Sequence, residues 1–203
     1  MPFVPKPLGE EVFAFDNKAG FRQPVEPVAQ HRLGAVSGVC AALVAMWIRR
    51  CYECAGDVTQ LAQIGSKLQF EIAQSAGHMG AKSVQDLATR MFDQQRLKSL
   101  ANDMVLVDDA DAWNDLLDEF IAVPAMYWCV LLPALQGGSA AEGHVVGIKT
   151  GGPNASGFWT LDPNAGLFRS SVANSDEFLG NRLCFSLRYP EYPNLHWYRC
   201  ALA

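Results

Sequence analysis

The amino-acid sequence predicts an α+β fold in which an N-terminal helical half packs on a C-terminal antiparallel β-sheet. Between Ser37 and Ile121, apolar residues recur at helical spacing. After Pro124 the pattern changes to short apolar runs separated by turns rich in glycine, asparagine and proline. Helices that precede a meander of strands are typical of α+β proteins.

Composition bounds the class of protein. With 203 residues, half of them apolar and 18% charged, the chain can form one globular domain with a substantial core. Five of the eleven prolines lie in residues 1–30, so we predict a leader there, extended or mobile, with a short hairpin around residues 12–15, and a folded domain over residues 31–203. The net charge of −5 argues against nucleic acid and anionic membranes as partners.

Neither a transmembrane helix nor a signal peptide is predicted. The longest apolar run, Val36–Ile48, is shorter than the roughly 20 residues needed to cross a bilayer. The proline-rich start lacks the apolar segment of a Sec signal peptide. We therefore expect synthesis in a cytoplasm, with any export following another route.

Four helices are predicted in the first half of the domain. Ser37 is the predicted N-cap of the first, which carries Cys40 in its opening turn. The second follows a capping box at residues 57–60 and has the apolar stripe Leu61, Ile64, Leu68, Ile72. The third follows a looser box at residues 83–86 and runs to Leu100, and the fourth covers Asp111 to Ile121.

Five strands are predicted after Pro124. They are Met126–Leu132, His144–Lys149, Gly157–Leu161, Leu167–Ser170 and Leu183–Tyr189. The first is almost continuously apolar, which is typical of a strand at the centre of a sheet.

Three residues carry the chemistry that the sequence suggests. Cys40 lies at a helix start, where the positive end of the helix dipole favours a thiolate. His144 begins a strand and Asp162 ends the next one, so an antiparallel pairing brings them together at one edge of the sheet. A thiol, an imidazole and a carboxylate in this order are the parts of a nucleophilic catalyst, and Asn164 is a second candidate to orient the imidazole.

Other cysteines and histidines have simpler interpretations. Cys51 and Cys54 form a C-x-x-C pair, but no second pair follows to complete a zinc site, so we interpret them as the end of a helix. His31, His78 and His196 are interpreted as surface or packing residues. Neither a metal nor another cofactor is predicted.

Three segments resemble the YopT-type cysteine proteases of bacterial effectors. They are Gly38-Val39-Cys40 with its apolar helix, Gly143-His144-Val145-Val146-Gly147-Ile148, and Phe158 to Phe168 with its Asp162-Pro163-Asn164. The resemblance covers residues 35 to about 170 and implies a papain-like fold with Cys40, His144 and Asp162 as the triad. It also implies a bacterial protein that a specialised system delivers into a target cell, where it cleaves a protein. A secretion chaperone or an immunity protein would be a further partner.

One departure from the papain-like pattern leaves the reaction open. Such enzymes usually carry a side-chain amide a few residues before the cysteine, but residues 32–36 contain none. Gln30 and Ser37 are the candidates for the oxyanion hole, together with the backbone N–H of Cys40. Two alternatives to proteolysis remain: a glutamine deamidase or transamidase that uses the same acyl-thioester chemistry, and a catalytically poor domain that binds a partner.

Overall fold

Helices and strands occupy most of the residues that the structure, a computed structural model of the chain, describes. These residues are 10–14, 39–54, 64, 67–82, 84–106, 111, 115, 127–132, 144–150, 158–163, 166–170 and 194–203. The described helices are α1 (Cys40–Glu53), α2 (Lys67–His78) and α3 (Val84–Gln94). The described strands are β1 (Glu10–Ala14), β2 (Leu97–Leu106), β3 (Tyr127–Leu132), β4 (His144–Thr150), β5 (Phe158–Asp162), β6 (Gly166–Ser170) and β7 (Asn194–Leu202).

The seven described strands form one sheet in the order β1-β6-β5-β4-β3-β7-β2. Every neighbouring pair is antiparallel. Helices α1 and α3 pack on this sheet, and α2 packs against these two helices. The predicted α+β class, with helices on an antiparallel sheet, is therefore confirmed.

The strands β3 to β6 lie within a residue of their predicted positions, and β3 shows why its sequence lacks alternation. Cys129 and Leu131 belong to the core under the helices, while Trp128 and Val130 point to the other face and are equally buried. Since both faces of β3 are covered, each position favours an apolar residue. The predicted strand at residues 183–189 lies outside the described residues.

One sequence prediction about the helical half is wrong. The third helix does not continue to Leu100: it ends at Gln94, and Arg96 adopts a left-handed backbone conformation with φ 53° that turns the chain into β2. In the apolar stripe of the second predicted helix, Ile64 is buried and Ile72 is 49% exposed. Of the predicted fourth helix, the described residues Asp111 and Asp115 are helical.

The predicted leader contributes a strand to the sheet. β1 pairs with β6, and Glu11 lies opposite Phe168. The turn of the hairpin predicted around residues 12–15 and the leader boundary at residue 30 lie outside the described residues, so the division into leader and domain stays a prediction.

Helix α1 lies close to β4 because Gly147 leaves room for it. A Cβ atom at Gly147 would lie 2.8 Å from ring carbons of Trp47 and 3.1 Å from Val44. Such a distance is far shorter than ordinary van der Waals contact, so only glycine allows this approach. The helix that begins with Cys40 is thereby packed directly on the strand that begins with His144.

None of the described helices is long and apolar enough to cross a membrane.

Candidate active site

Cys40 is the first residue of α1. The first backbone hydrogen bond of the helix runs from the N–H of Leu43 to the carbonyl of Val39, which places Val39 at the N-cap. Cys40 is partly exposed, whereas Ala41 and the four residues after it are buried. The thiol therefore lies at the positive end of a helix and can still be reached from solvent.

The prediction that Ser37 caps this helix is wrong. Val39 occupies the N-cap position and its side chain makes no capping hydrogen bond. The acceptor comes instead from α2: the backbone N–H of Ala42 donates to Oε1 of Gln74 at 2.9 Å. A residue 32 positions away thus does what a local serine was expected to do.

His144 and Asp162 form a buried hydrogen-bonded pair. His144 Nε2 and Asp162 Oδ1 are 3.0 Å apart, and the two residues are 5% and 0% exposed. The register explains the contact, since β4 and β5 are antiparallel with Gly147 opposite Leu161. The start of β4 and the end of β5 consequently meet at one edge of the sheet, as the sequence order predicts.

Cys40 acts on the same imidazole, since its hydrogen bonding and charge are among the causes that raise the pKa of His144. Because Nε2 faces Asp162, Nδ1 is the ring nitrogen that remains for the thiol. Burial alone would lower the pKa of His144, but the hydrogen bonds and charges of Asp162 and Cys40 outweigh it and raise the pKa from 6.5 to about 9. The structure therefore brings Cys40, His144 and Asp162 together, with an imidazole that favours its protonated form at neutral pH.

The predicted oxyanion residues cannot be placed, because Gln30 and Ser37 lie outside the described residues, as does Asn164. The helix start offers backbone donors instead. The N–H groups of Cys40 and Ala41 have no acceptor within the helix, as is general for the first turn. Both belong to the turn that carries the thiol and can donate to a developing oxyanion.

The other described histidines and cysteines lie in different surroundings. His196 on β7 accepts a hydrogen bond from the Gln85 amide at 3.3 Å, and burial lowers its pKa. Cys51 is buried in the core and Cys54 follows the end of α1 in an exposed position, so their interpretation as a helix end is confirmed. Burial raises the pKa of the Cys129 thiol strongly and that of Cys200 to about 12, which makes both poor nucleophiles.

A polar cleft lies at the other end of α1. It has a volume of about 230 Å³ and is lined by Met46, Arg49, Arg50, Glu53, Ile64, Gln94, Gln95 and Arg96. Glu53 accepts hydrogen bonds from both of the arginines on its own helix, at 2.8 and 2.6 Å. Met46, the first residue of α1 that lines the cleft, follows Cys40 by six positions, and the cleft contains no residue of the thiol–imidazole–carboxylate arrangement.

Sequence reasoning missed Gln74, and no local pattern could have found it. Its role depends on how α2 packs against α1, which neither helix encodes alone. The only signal is a polar residue four positions after the core residue Phe70, on a face of α2 that is otherwise buried.

Comparisons with known proteins support the fold. The sequence matches no protein-family model and no curated protein at a significant level. Among solved structures, the chain is similar to the Pseudomonas avirulence protein AvrPphB, with a TM-score of 0.59 and 13% sequence identity. The alignment covers 91% of this chain and 99% of that one. Because almost the whole of both chains is aligned, the α+β architecture described above is that of a known structure, and the predicted papain-like class agrees with it.

Proposed function

We propose that this protein is a cysteine protease of the YopT type, with Cys40 as nucleophile, His144 as general acid and base, and Asp162 as the residue that orients the imidazole. The observation that carries the proposal is the buried His144–Asp162 hydrogen bond at 3.0 Å, made by the same imidazole whose pKa Cys40 helps to raise. A buried polar chain of this kind is costly to form unless each member has its partner. The same three residues carry the sequence resemblance to these proteases.

The chemistry follows from the two ring nitrogens of the His144 imidazole. With a pKa of about 9, His144 is mostly protonated at neutral pH, and a protonated imidazole beside a thiol favours the thiolate. The Cys40 sulfur attacks the peptide carbonyl, and His144 gives its proton to the leaving amine as the thioester forms. A water molecule then attacks the thioester, His144 accepts its proton, and the thiol is released. Asp162 holds Nε2 throughout, so that Nδ1 faces the sulfur.

The oxyanion of each tetrahedral intermediate needs donors that are already in place. The backbone N–H of Cys40 is one candidate and Gln30 or Ser37 is a second. Loss of one such donor lowers the rate on the order of a hundredfold.

The proposed setting is a target cell. The structural neighbour is an avirulence protein from Pseudomonas, which agrees with a bacterial effector that a specialised system delivers into another cell. The substrate would be a protein of that cell. In this proposal, residues 31–203 form the catalytic domain, and the leader completes its sheet through β1.

Thiol reactivity tests whether Cys40 is the nucleophile. Iodoacetamide near neutral pH, followed by peptide mass spectrometry, is expected to label Cys40 well before Cys129 and Cys200. Exposed Cys54 serves as the reference for an ordinary accessible thiol. Labelling of Cys40 no faster than Cys54 would contradict an activated nucleophile.

The reaction itself is tested on proteins from a target-cell lysate. Wild-type protein and the Cys40→Ala variant are incubated with the lysate, and new protein N-termini are identified by mass spectrometry. New termini that depend on Cys40 support proteolysis. A gain of about one mass unit on glutamine side chains, without new termini, would instead show a deamidase that uses the same thioester chemistry.

A further inference from the structure

Gln74 is a buried polar residue on a helix that carries none of the proposed triad. It is 2% exposed, and Phe70, one turn earlier on the same face of α2, is 1% exposed. A primary amide in such surroundings costs free energy unless its polar atoms are bonded. Gln74 therefore needs hydrogen-bond partners, and the apolar side chains of the core cannot provide them.

The contact that Gln74 makes is specific to the start of α1. Its Oε1 accepts from the N–H of Ala42 at 2.9 Å, and Ala42 is the third residue of the helix. In most helices this N–H is satisfied by a Ser, Thr, Asp or Asn at the N-cap, and Val39 cannot do this. The start of α1 is consequently held by a different helix.

Helix α3 provides an internal comparison. There the backbone N–H of Lys82 donates to Asp86 Oδ2 at 3.0 Å, so the helix start is fixed by a residue four positions away. The acceptor for α1 lies 32 positions away. The start of α1, which carries the proposed nucleophile, therefore depends on how α2 packs against it.

We infer that Gln74 is a positioning residue for Cys40, holding the first turn of α1 so that the thiol stays in contact with His144; this rests on the function proposed above. Cys40 precedes Ala42 by two residues, so the hydrogen bond fixes the backbone of the turn that carries the sulfur. Because the third N–H of the helix is already bonded, the N–H groups of Cys40 and Ala41 remain for the reacting carbonyl. Without the acceptor the first turn would fray, and fraying moves the thiol relative to the imidazole.

The test distinguishes the effect of removing the acceptor oxygen from the effect of changing the volume of the side chain. Gln74→Met keeps the length and bulk of the residue but has no oxygen, whereas Gln74→Glu keeps an acceptor oxygen at the same reach. Ser75→Ala is the matched control: it is the next residue on α2, it is buried, and its hydroxyl has no hydrogen-bond partner among the described residues. Gln74→Asn, which draws the acceptor back by one methylene, replaces Gln74→Met if the latter does not fold.

Two measurements are made, and neither needs a substrate. Hydrogen exchange of the Ala42 amide reports the contact itself. The rate of Cys40 alkylation between pH 5 and 9 reports whether the thiol still benefits from His144. We expect Gln74→Met to lose protection at Ala42 and to alkylate Cys40 about tenfold more slowly below pH 7, in line with the loss of a helix cap and of the ordered helix end. Ser75→Ala is expected to match the wild type in both measurements, and Gln74→Glu is expected to keep the Ala42 amide protected.

The outcomes are distinct. A Gln74→Met protein with wild-type alkylation of Cys40 would overturn the inference, and so would loss of Ala42 protection in Gln74→Glu, because that variant keeps both the shape of the side chain and an acceptor oxygen. The proposed protease activity is judged separately: a chain whose Cys40 depends on Gln74 but which cleaves no protein would refute proteolysis and leave the positioning role standing.

Discussion

Replacing Asp162 with asparagine removes the charge that holds His144 in its protonated form. The pKa of His144 lies at about 9 although burial acts to lower it, because Asp162 and Cys40 act in the opposite direction. The difference between a pKa of 6.5 and a pKa of about 9 corresponds to about 3 kcal/mol in favour of the imidazolium, at about 1.4 kcal/mol for each pKa unit. In the Asp162→Asn variant most of this is lost while burial remains, so we expect the pKa of His144 to fall below 6.5.

Nuclear magnetic resonance titration of labelled histidine measures this directly. The chain has four histidines, and the His144 signal is identified by its loss in His144→Gln. The titration is repeated in Cys40→Ala, where the thiol is absent and the carboxylate remains. We expect the pKa of His144 in Cys40→Ala to stay above 6.5, because the hydrogen bond to Asp162 is intact.

The same shift predicts a dependence of stability on pH. The folded protein raises the pKa of His144 above its unfolded value, so the contribution of His144 to the free energy of unfolding is complete below about pH 6.5 and is lost as the pH rises through about 9. Chemical denaturation between pH 6 and 10 should therefore show the stability advantage of the wild type over Asp162→Asn shrinking across that window. A pKa of His144 that is unchanged in Asp162→Asn, or a stability difference that grows with pH, would refute the reasoning.

Three further changes probe the frame around the site. Gly147→Ala places a methyl group against Trp47 and is expected to cost about 1–3 kcal/mol in urea unfolding and to slow Cys40 alkylation; unchanged stability would mean that α1 can move away from β4. Tyr52→Phe removes a hydrogen bond of 2.7 Å to the carbonyl of Cys200 and should lower the unfolding free energy by about 1 kcal/mol, with no effect on alkylation. Arg50→Ala breaks an exposed ion pair at the far end of α1 and should change stability by less than about 1 kcal/mol, which thermal unfolding can check.

The parts of the fold that the sequence predicts are those with a strong local pattern. Strands β3 to β6 combine apolar runs with clear turn residues, and each was placed to within a residue. Helix α3 carries its own start signal in Asp86. Strand β2 has no such pattern: its sequence, LKSLANDMVL, mixes polar and apolar residues without a clear period of two, and it is a strand because β7 pairs with it.

In the candidate site, too, one part follows from the sequence and another does not. The meeting of His144 and Asp162 follows from strand order alone, because consecutive antiparallel strands must bring the start of one near the end of the other. The cap of α1 does not follow from any local rule, since Gln74 reaches Ala42 only after two helices have packed. Local rules favoured Ser37, and the long-range contact prevailed because a buried N–H must find an acceptor wherever one is available.

Strand β7 has a consequence for how the protein is made. It lies between β3 and β2 in the sheet, yet it follows both in the chain, and its register joins Leu97 to Leu202 across more than a hundred residues. A chain emerging from a ribosome would thus have Cys40, His144 and Asp162 outside the exit tunnel before the place between β3 and β2 could be filled. Pairing over such separations is slow, and until it happens β3 is an unpaired edge strand that is prone to join with other chains. A thiol enzyme assembled in this order would gain its activity only after synthesis had passed β7, so the producing cell would be exposed to it late.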